Sequence, residues 1–346
     1  MLPTSDDLET VLQSGLPGVV AVASGPGRYW EGAAGLANLE TGEPLTPDHG
    51  FRISSVMKVF VAAVVLQLVD EGVLALDGDA APIVDGVTVR QLLNHTSGVP
   101  NYNDDMVEVF EPYRRDPKYR WPLGPKETLA VALERPRLFP AGEGWAYTGS
   151  NYLALGLLVE ELTGETLREH LRRRIFDPLE LDGTDLTEDS TVTAGLARGY
   201  LPGDNPILPG TGPVDATELD LPFNWRGGGV VSTGRDLARF LQALLGGELL
   251  PPGLRAEMLR TVPSGWDESD AYGLGIGQVT SVIGVVPSPC GAAWGHLGLG
   301  PYTTIAFSSE DGERQAVVLA NGGVMSTEAF EPLGRLTWAC YCGEGR

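Results

Sequence analysis

Ten of the eleven residues in Val59-Phe60-Val61-Ala62-Ala63-Val64-Val65-Leu66-Gln67-Leu68-Val69 are apolar. At helical spacing such residues fall on every side of the cylinder, so a helix here has no face to offer water. It must run through the middle of a large core with other elements packed around it. The run is too short to span a bilayer. It stops at Glu71-Gly72, where glycine suits the left-handed position that closes a helix. The 346 residues of the chain allow one large domain or two lobes, enough for a core of that depth.

The polar lead-in to this helix is Phe51-Arg52-Ile53-Ser54-Ser55-Val56-Met57-Lys58. Ser55 falls at the helix start and Lys58 three residues later, a spacing that places two side chains side by side on one face. A serine at a helix N-terminus is by default an N-cap. The alternative is a nucleophile with its proton acceptor one turn away. The chain has three lysines, Lys58, Lys118 and Lys126, among 24 basic residues. Arginine cannot release its proton near neutral pH, whereas a desolvated lysine can, so a lysine at this place is informative.

A net charge of −22 argues against nucleic acid as a partner, because phosphates need a basic footprint, and against anionic membrane surfaces. His49, His95, His170 and His296 are scattered, and no His/Cys spacing suggests zinc; no metal or cofactor is expected. Residues 1–10 are acidic with no apolar h-region, which points to a cytoplasmic protein as the chain stands, or an exported one if the N-terminus was truncated. A bridge from Cys290 to Cys340 or Cys342 would instead imply an oxidising compartment.

Along the chain, a helix is expected over 6–14, then strands over 18–23, 28–35 and 50–53 that pair with one another. Residues 88–245 read mainly as helices (88–94, 126–134, 152–163, 167–175, 234–245) with long loops between. Residues 201–213, rich in Pro and Gly, read as an exposed loop or cleft rim. The run Arg226-Gly227-Gly228-Gly229 is weak evidence for phosphate binding, since no strand–loop–helix fingerprint surrounds it. Strands return at 272–279, 281–286, 293–296, 303–307 and 315–320, spaced as an antiparallel meander. Strands at both ends imply that residues 1–75 and 230–346 form one α/β lobe and 76–229 a mainly helical second lobe, with an active site between them.

Two further stretches join the first. Tyr147 lies in Gly144-Trp145-Ala146-Tyr147-Thr148-Gly149-Ser150-Asn151, just before a helix, and His296 lies in Trp294-Gly295-His296-Leu297-Gly298 on a late strand. With Leu92-Leu93-Asn94-His95-Thr96-Ser97-Gly98 and the Ser55 segment, the chain resembles the penicillin-recognising serine enzymes from about residue 18 to 342. That family includes class C β-lactamases, serine D-alanyl-D-alanine carboxypeptidases, D-aminopeptidases and β-lactamase-fold esterases and transacylases. The resemblance implies an α/β (α+β) fold of the β-lactamase/DD-peptidase type, an antiparallel sheet flanked by helices with a mainly helical second lobe. It also implies that Ser55 attacks a carbonyl while Lys58 and Tyr147 relay its proton, and that the backbone N–H groups of Ser55 and Leu299 hold the oxyanion. An ordinary phenol titrates near pH 10, so Tyr147 serves as a base only beside cations, which Lys58 and His296 are expected to supply.

Three departures bear on the substrate. Where the family has an asparagine two residues after the tyrosine, to contact a substrate amide, this chain has Gly149; Asn151 could replace it only through a two-residue bulge. Where the late strand usually carries a hydroxyl, this chain has Leu297. No arginine occurs in 272–279 or 295–304 to hold a substrate carboxylate, and a carboxylate buried without partners is costly. The expected function is a serine acyl-enzyme hydrolase or transacylase acting on a small ester or amide without a free C-terminal carboxylate, in small-molecule metabolism, with water or an amine as acyl acceptor. The alternatives are a D-alanyl-D-alanine carboxypeptidase or class C-like β-lactamase, and an inactive binding protein on the same fold.

Overall fold

The structure, a computed structural model, describes residues 2–343 apart from 104–105, 117–118, 188, 206, 209, 220–224, 226–228, 266–269 and 325, and only the backbone of 106–110 and 327–328. Its main sheet has nine antiparallel strands. In spatial order they are Val262–Pro263, Ala271–Tyr272, Gly277–Val279, Ala293–Gly298, Thr303–Ser308, Gln315–Ala320, Gly18–Gly25, Arg28–Asn38 and Glu43–Pro44. The closing pair of the sheet joins the two ends of the chain, with Val19 opposite Ala320 and Ser24 opposite Gln315.

Alternation along the central strands decides what covers each face. Val19, Ala21, Ala23, Ala316, Val318 and Ala320 pack under the terminal helices Ser5–Leu12 and Thr327–Cys342. Val20, Val22, Val317 and Leu319 point the other way, into the core that holds helices Met57–Asp70 and Gly234–Leu245. The Met57–Asp70 helix is enclosed as its composition requires, with every residue from Val59 to Leu66 buried. Phe60 stacks on Phe240 with ring centroids 3.7 Å apart and meets Phe176 edge-on. Gly72 closes the helix at φ +73°.

Several strands depart from expectation. Phe51–Arg52 does not pair with the first strands; it forms a separate small sheet with Gly229–Ser232 and Asp185–Thr187. The stretch 272–279 is a hairpin, because Gly275 takes φ +83° and the Gly273 N–H closes the turn on the Ile276 carbonyl. Ser281–Val282 and Val286–Pro287 make their own two-stranded hairpin outside the main sheet. Residues 201–213 are packed rather than exposed at Ile207 and Leu208, which join Tyr113 and Leu201 in a small core. Asn205 folds that loop by accepting the N–H groups of both residues, at 2.9 and 2.7 Å. Of the glycine run, residues 226–228 lie outside the described residues.

Cys290 is disulfide-bonded to Cys342, tying the loop before strand Ala293–Gly298 to the end of the last helix; Cys340 is a buried free thiol. Among the described residues, no helix is long and apolar enough to cross a membrane.

Replacing Phe60 by Ala removes the ring that joins two helices across the deepest core. The expected loss of unfolding free energy is about 3–5 kcal/mol, read from urea denaturation; a loss below about 1 kcal/mol would contradict the packing described.

Candidate active site

The site begins with a strained turn. Ser54 holds φ +48°, a left-handed conformation that costs a non-glycine residue energy and that occurs where the surroundings over-determine the chain. A single 3₁₀ turn, Ser54–Val56, follows and runs directly into the buried helix. Ser55 makes no side-chain cap there. Its Oγ instead accepts a hydrogen bond from Lys58 Nζ at 3.1 Å. The N-cap reading of Ser55 is thereby displaced, and the serine–lysine pair sits one turn above a core that cannot move.

Strand Ala293–Gly298 closes over this turn. Gly298 touches it so closely that a Cβ there would lie 2.2 Å from the Ile53 carbonyl oxygen. Only glycine permits that approach. Ser55, Tyr147 and Leu299 line two cavities in common, so the serine stands on the boundary between them. One cavity, of about 190 Å³, is also lined by Lys58, Asn101, Asn103 and Gly149. The other, of about 410 Å³, is lined by Asp270, Val279, Ile283, His296 and Leu297.

Tyr147 is positioned by the loop that follows the short helix Val89–Leu93. The Ala146 N–H bonds the His95 carbonyl at 3.1 Å, and the Gly142 N–H bonds the Thr96 carbonyl at 2.8 Å. Gly98 is required there, since a Cβ would meet the Phe139 carbonyl oxygen at 2.1 Å. The His95 ring, at φ +63° and fully buried, lies 4.5 Å from the Tyr147 ring. Its Nδ1 accepts the Thr148 backbone N–H at 3.3 Å, so the ring proton is on Nε2. Asn151 is sealed in the core, its side chain bonded to Ser97 Oγ at 2.7 Å and to His95 Nδ1 at 3.2 Å. It is not available to a substrate, and the bulge that would present it does not form.

The place of the missing asparagine is filled from another loop. A Cβ on Gly149 would lie 2.7 Å from the Tyr102 hydroxyl, and the Gly149 N–H donates to Asn101 Oδ1 at 3.0 Å. Asn101, Tyr102 and Asn103 therefore supply the amide-rich wall of the smaller cavity. Sequence reading missed them, although Asn101-Tyr102-Asn103 directly follows the turn-rich stretch after His95.

Lys58 Nζ lies 5.0 Å from the Tyr147 ring centre and 5.6 Å from that of Tyr152. The expectation that His296 adds a second positive charge does not hold. Burial, and then the charge of Lys58, push its pKa from 6.5 down to about 3, against a smaller upward effect of its bond to the Leu297 carbonyl. That bond, Nδ1 to O at 2.6 Å, fixes the proton on Nδ1, leaving Nε2 to accept the Tyr272 hydroxyl at 3.1 Å. Burial likewise holds His95 well below the ordinary histidine range, helped by the charge of Lys58. Burial keeps the hydroxyls of Tyr102, Tyr152 and Tyr272 protonated far above neutral pH. Among the described residues, no group of His, Cys, Asp and Glu could hold a metal ion.

The profile of the Beta-lactamase family matches residues 6–334 of this chain. A D-stereospecific amidohydrolase from Streptomyces sp. superposes with a TM-score of 0.80 at 29% identity, covering 98% of each chain. Penicillin-binding protein 4 of Amycolatopsis lactamdurans is 28% identical over 69% of this chain and 62% of its own length. Lovastatin esterase of Penicillium rubens is 28% identical over 68% of this chain and 66% of its own. The chain thus spans just under two thirds of the length of these two relatives.

Neutral buried histidines make stability fall with acid. Unfolded, each takes up a proton near pH 6.5; folded, His296 does so only near pH 3. Unfolding free energy is then flat above about pH 6.5 and falls below it, by roughly 1.4 kcal/mol per pH unit for each such histidine. In NMR titrations neither His95 nor His296 should titrate between about pH 5 and 8. An assigned His296 pKa near 6 would contradict the site's electrostatics.

Proposed function

This chain belongs to the Beta-lactamase family, and we propose that it is a serine acyl-enzyme hydrolase or transacylase acting on a small ester or amide that lacks a free carboxylate. The observation that carries this reading is the 3.1 Å bond between Lys58 Nζ and Ser55 Oγ at the boundary of two cavities, with Tyr147 lining both. A binding protein would have no need of that combination.

In this reading Ser55 Oγ attacks the substrate carbonyl carbon while its proton passes to Tyr147, and Lys58 stabilises the negative charge that the phenol oxygen carries. The carbonyl oxygen becomes an oxyanion held by the backbone N–H groups of Ser55 and Leu299; one such donor is typically worth about 10²–10³ in rate. Collapse of the tetrahedral species breaks the bond to the alcohol or amine, which leaves with the proton from Tyr147. Water, or an amine where the cleft excludes water, then attacks the Ser55 ester by the same steps in reverse. With His296 neutral, Lys58 carries the electrostatic part of the task. His296, through Tyr272, serves to hold the wall of the larger cavity.

The reading treats residues 1–75 and 230–346 as one lobe and 76–229 as the other, with the site along their seam. In its support, Ser55, Lys58, His296 and Leu299 come from the first set and Asn101, Tyr147 and Gly149 from the second. The substrate is a small molecule, and the solved neighbour named as a D-stereospecific amidohydrolase and the relative named as an esterase fit amide and ester chemistry. The Cys290–Cys342 bond is of a kind that persists in oxidising compartments, which weighs against a cytoplasmic location.

Pre-steady-state hydrolysis of activated aryl esters and amides should show a burst of one leaving group per chain. Lys58→Ala should slow acylation by at least about 10³ and Tyr147→Phe by roughly 10²–10⁴. Absence of any burst across the panel would sink the reading. Rapid stoichiometric acylation by benzylpenicillin would move it to a carboxypeptidase or β-lactamase.

A further inference from the structure

The hairpin of Ser281–Val282 and Val286–Pro287 breaks a local rule at its turn. Ile283 and Gly284 both hold positive φ, +51° and +66°, and the Val285 N–H closes on the Val282 carbonyl at 3.0 Å. Asn-Gly, Asp-Gly or Gly-Gly ordinarily fills such a pair of positions, and a β-branched residue at the first is an outlier. Strain of this kind persists where the surroundings fix the chain, and it collects at segments that hold ligands. Here the Gly284 N–H donates to Ser281 Oγ at 2.9 Å, and Trp338 Nε1 donates to the Val286 carbonyl at 2.8 Å. The Cys290–Cys342 bridge ties the following loop to the end of the same last helix. Core packing does not repay the strain, since Ile283 is 42% exposed. Its place is on the wall of the larger cavity beside Ser55.

That cavity presents apolar surface. Val279, Leu297 and Leu299 line it together with Ile283, and Leu299 is 45% exposed. The polar side chains on its walls are bonded within the protein. Asp270 accepts the Thr280 N–H at 3.2 Å, Ser281 accepts that of Gly284, and the two ring nitrogens of His296 bond the Leu297 carbonyl and the Tyr272 hydroxyl. Resting on the acyl-enzyme reading of Ser55, we infer that the larger cavity takes a bulky apolar group of the substrate, aliphatic or aromatic, and that Ile283 selects it. Such a group covers the exposed side chains of Ile283 and Leu299 and removes them from water, which offsets the strain of the turn. The smaller cavity, lined by Asn101, Asn103 and Lys58, receives the polar part of the molecule. The substrate class is accordingly an ester or amide with one apolar arm, on whichever side of the scissile bond enters the larger cavity.

The test uses two sets of esters, one lengthened by single methylenes in the acyl part and one in the alcohol part, each rate divided by that ester's rate with hydroxide. In one set the wild-type kcat/KM should rise about fourfold per methylene over the first few carbons. A terminal hydroxyl in place of the terminal methyl should lower it about tenfold. Ile283→Gly and Ile283→Asn both suit the turn, so neither should lower the urea midpoint of unfolding. Each should cut the ratio of the longest to the shortest ester at least fivefold. A wild-type ratio near one in both sets overturns the inference, and so does a ratio that both variants leave unchanged. Calorimetry with Ser55→Ala reads the same preference without chemistry, using the amide counterparts. Affinity that rises with chain length supports the inference, and equal affinity across both sets overturns it. Failure of the acyl-enzyme reading is a separate outcome, seen as no ester of either set acylating Ser55.

Discussion

The hydrogen bond between Lys58 and Ser55 depends on a helix that has nowhere else to go. Because residues 59–66 are buried on every side, the helix axis is set by the whole core, and its first turn can present only one short face to solvent. Ser55 and Lys58 share that face. The positive φ of Ser54 and the glycine contact at Gly298 press the turn against the closing strand, and the Ser55 hydroxyl and Lys58 amine meet there. The chemistry of the site is in this sense a property of core packing. Strain and close approach are tolerated because the surrounding elements leave no room to relax.

The electrostatics follow from the same enclosure. Burial strips charge from His95 and His296, and the charge of Lys58 reinforces the effect on both. The two imidazoles become hydrogen-bonding spacers with assigned tautomers: His95 ties the Tyr147 loop to Asn151 and Thr148, and His296 ties its own strand to Tyr272. Removing positive charge from the strand-side wall is what makes that wall unsuitable for a carboxylate.

Much of this was legible in the sequence, for identifiable reasons. The Ser55–Lys58 pair could be read because helical spacing is local. The sheet formed by both chain ends followed from strand signals at both ends of the chain, such as the Val-rich stretch 18–23 and the late run 315–320, with helices between them. What could not be read depended on tertiary distance. Asn151 and Asn101 are equally polar in the sequence, yet one is sealed beside His95 and the other supports Gly149 at the cleft. Residues 272–279 look like one strand until the backbone of Gly275 turns it. Ile207 and Leu208 lie in a segment whose prolines and glycines suggested exposure. The protonation of His296 and the choice of Cys342 over Cys340 as the partner of Cys290 are likewise set by surroundings, which local sequence does not contain.

The central claim is that Ser55 becomes covalently acylated. It is tested most directly by treating the protein with an activated ester or fluorophosphonate, digesting it, and mapping the adduct by tandem mass spectrometry. The account predicts a single modified peptide with the added mass on Ser55, absent from Ser55→Ala. Modification at another residue, or an unmodified Ser55 under conditions where the ester is turned over, would contradict it.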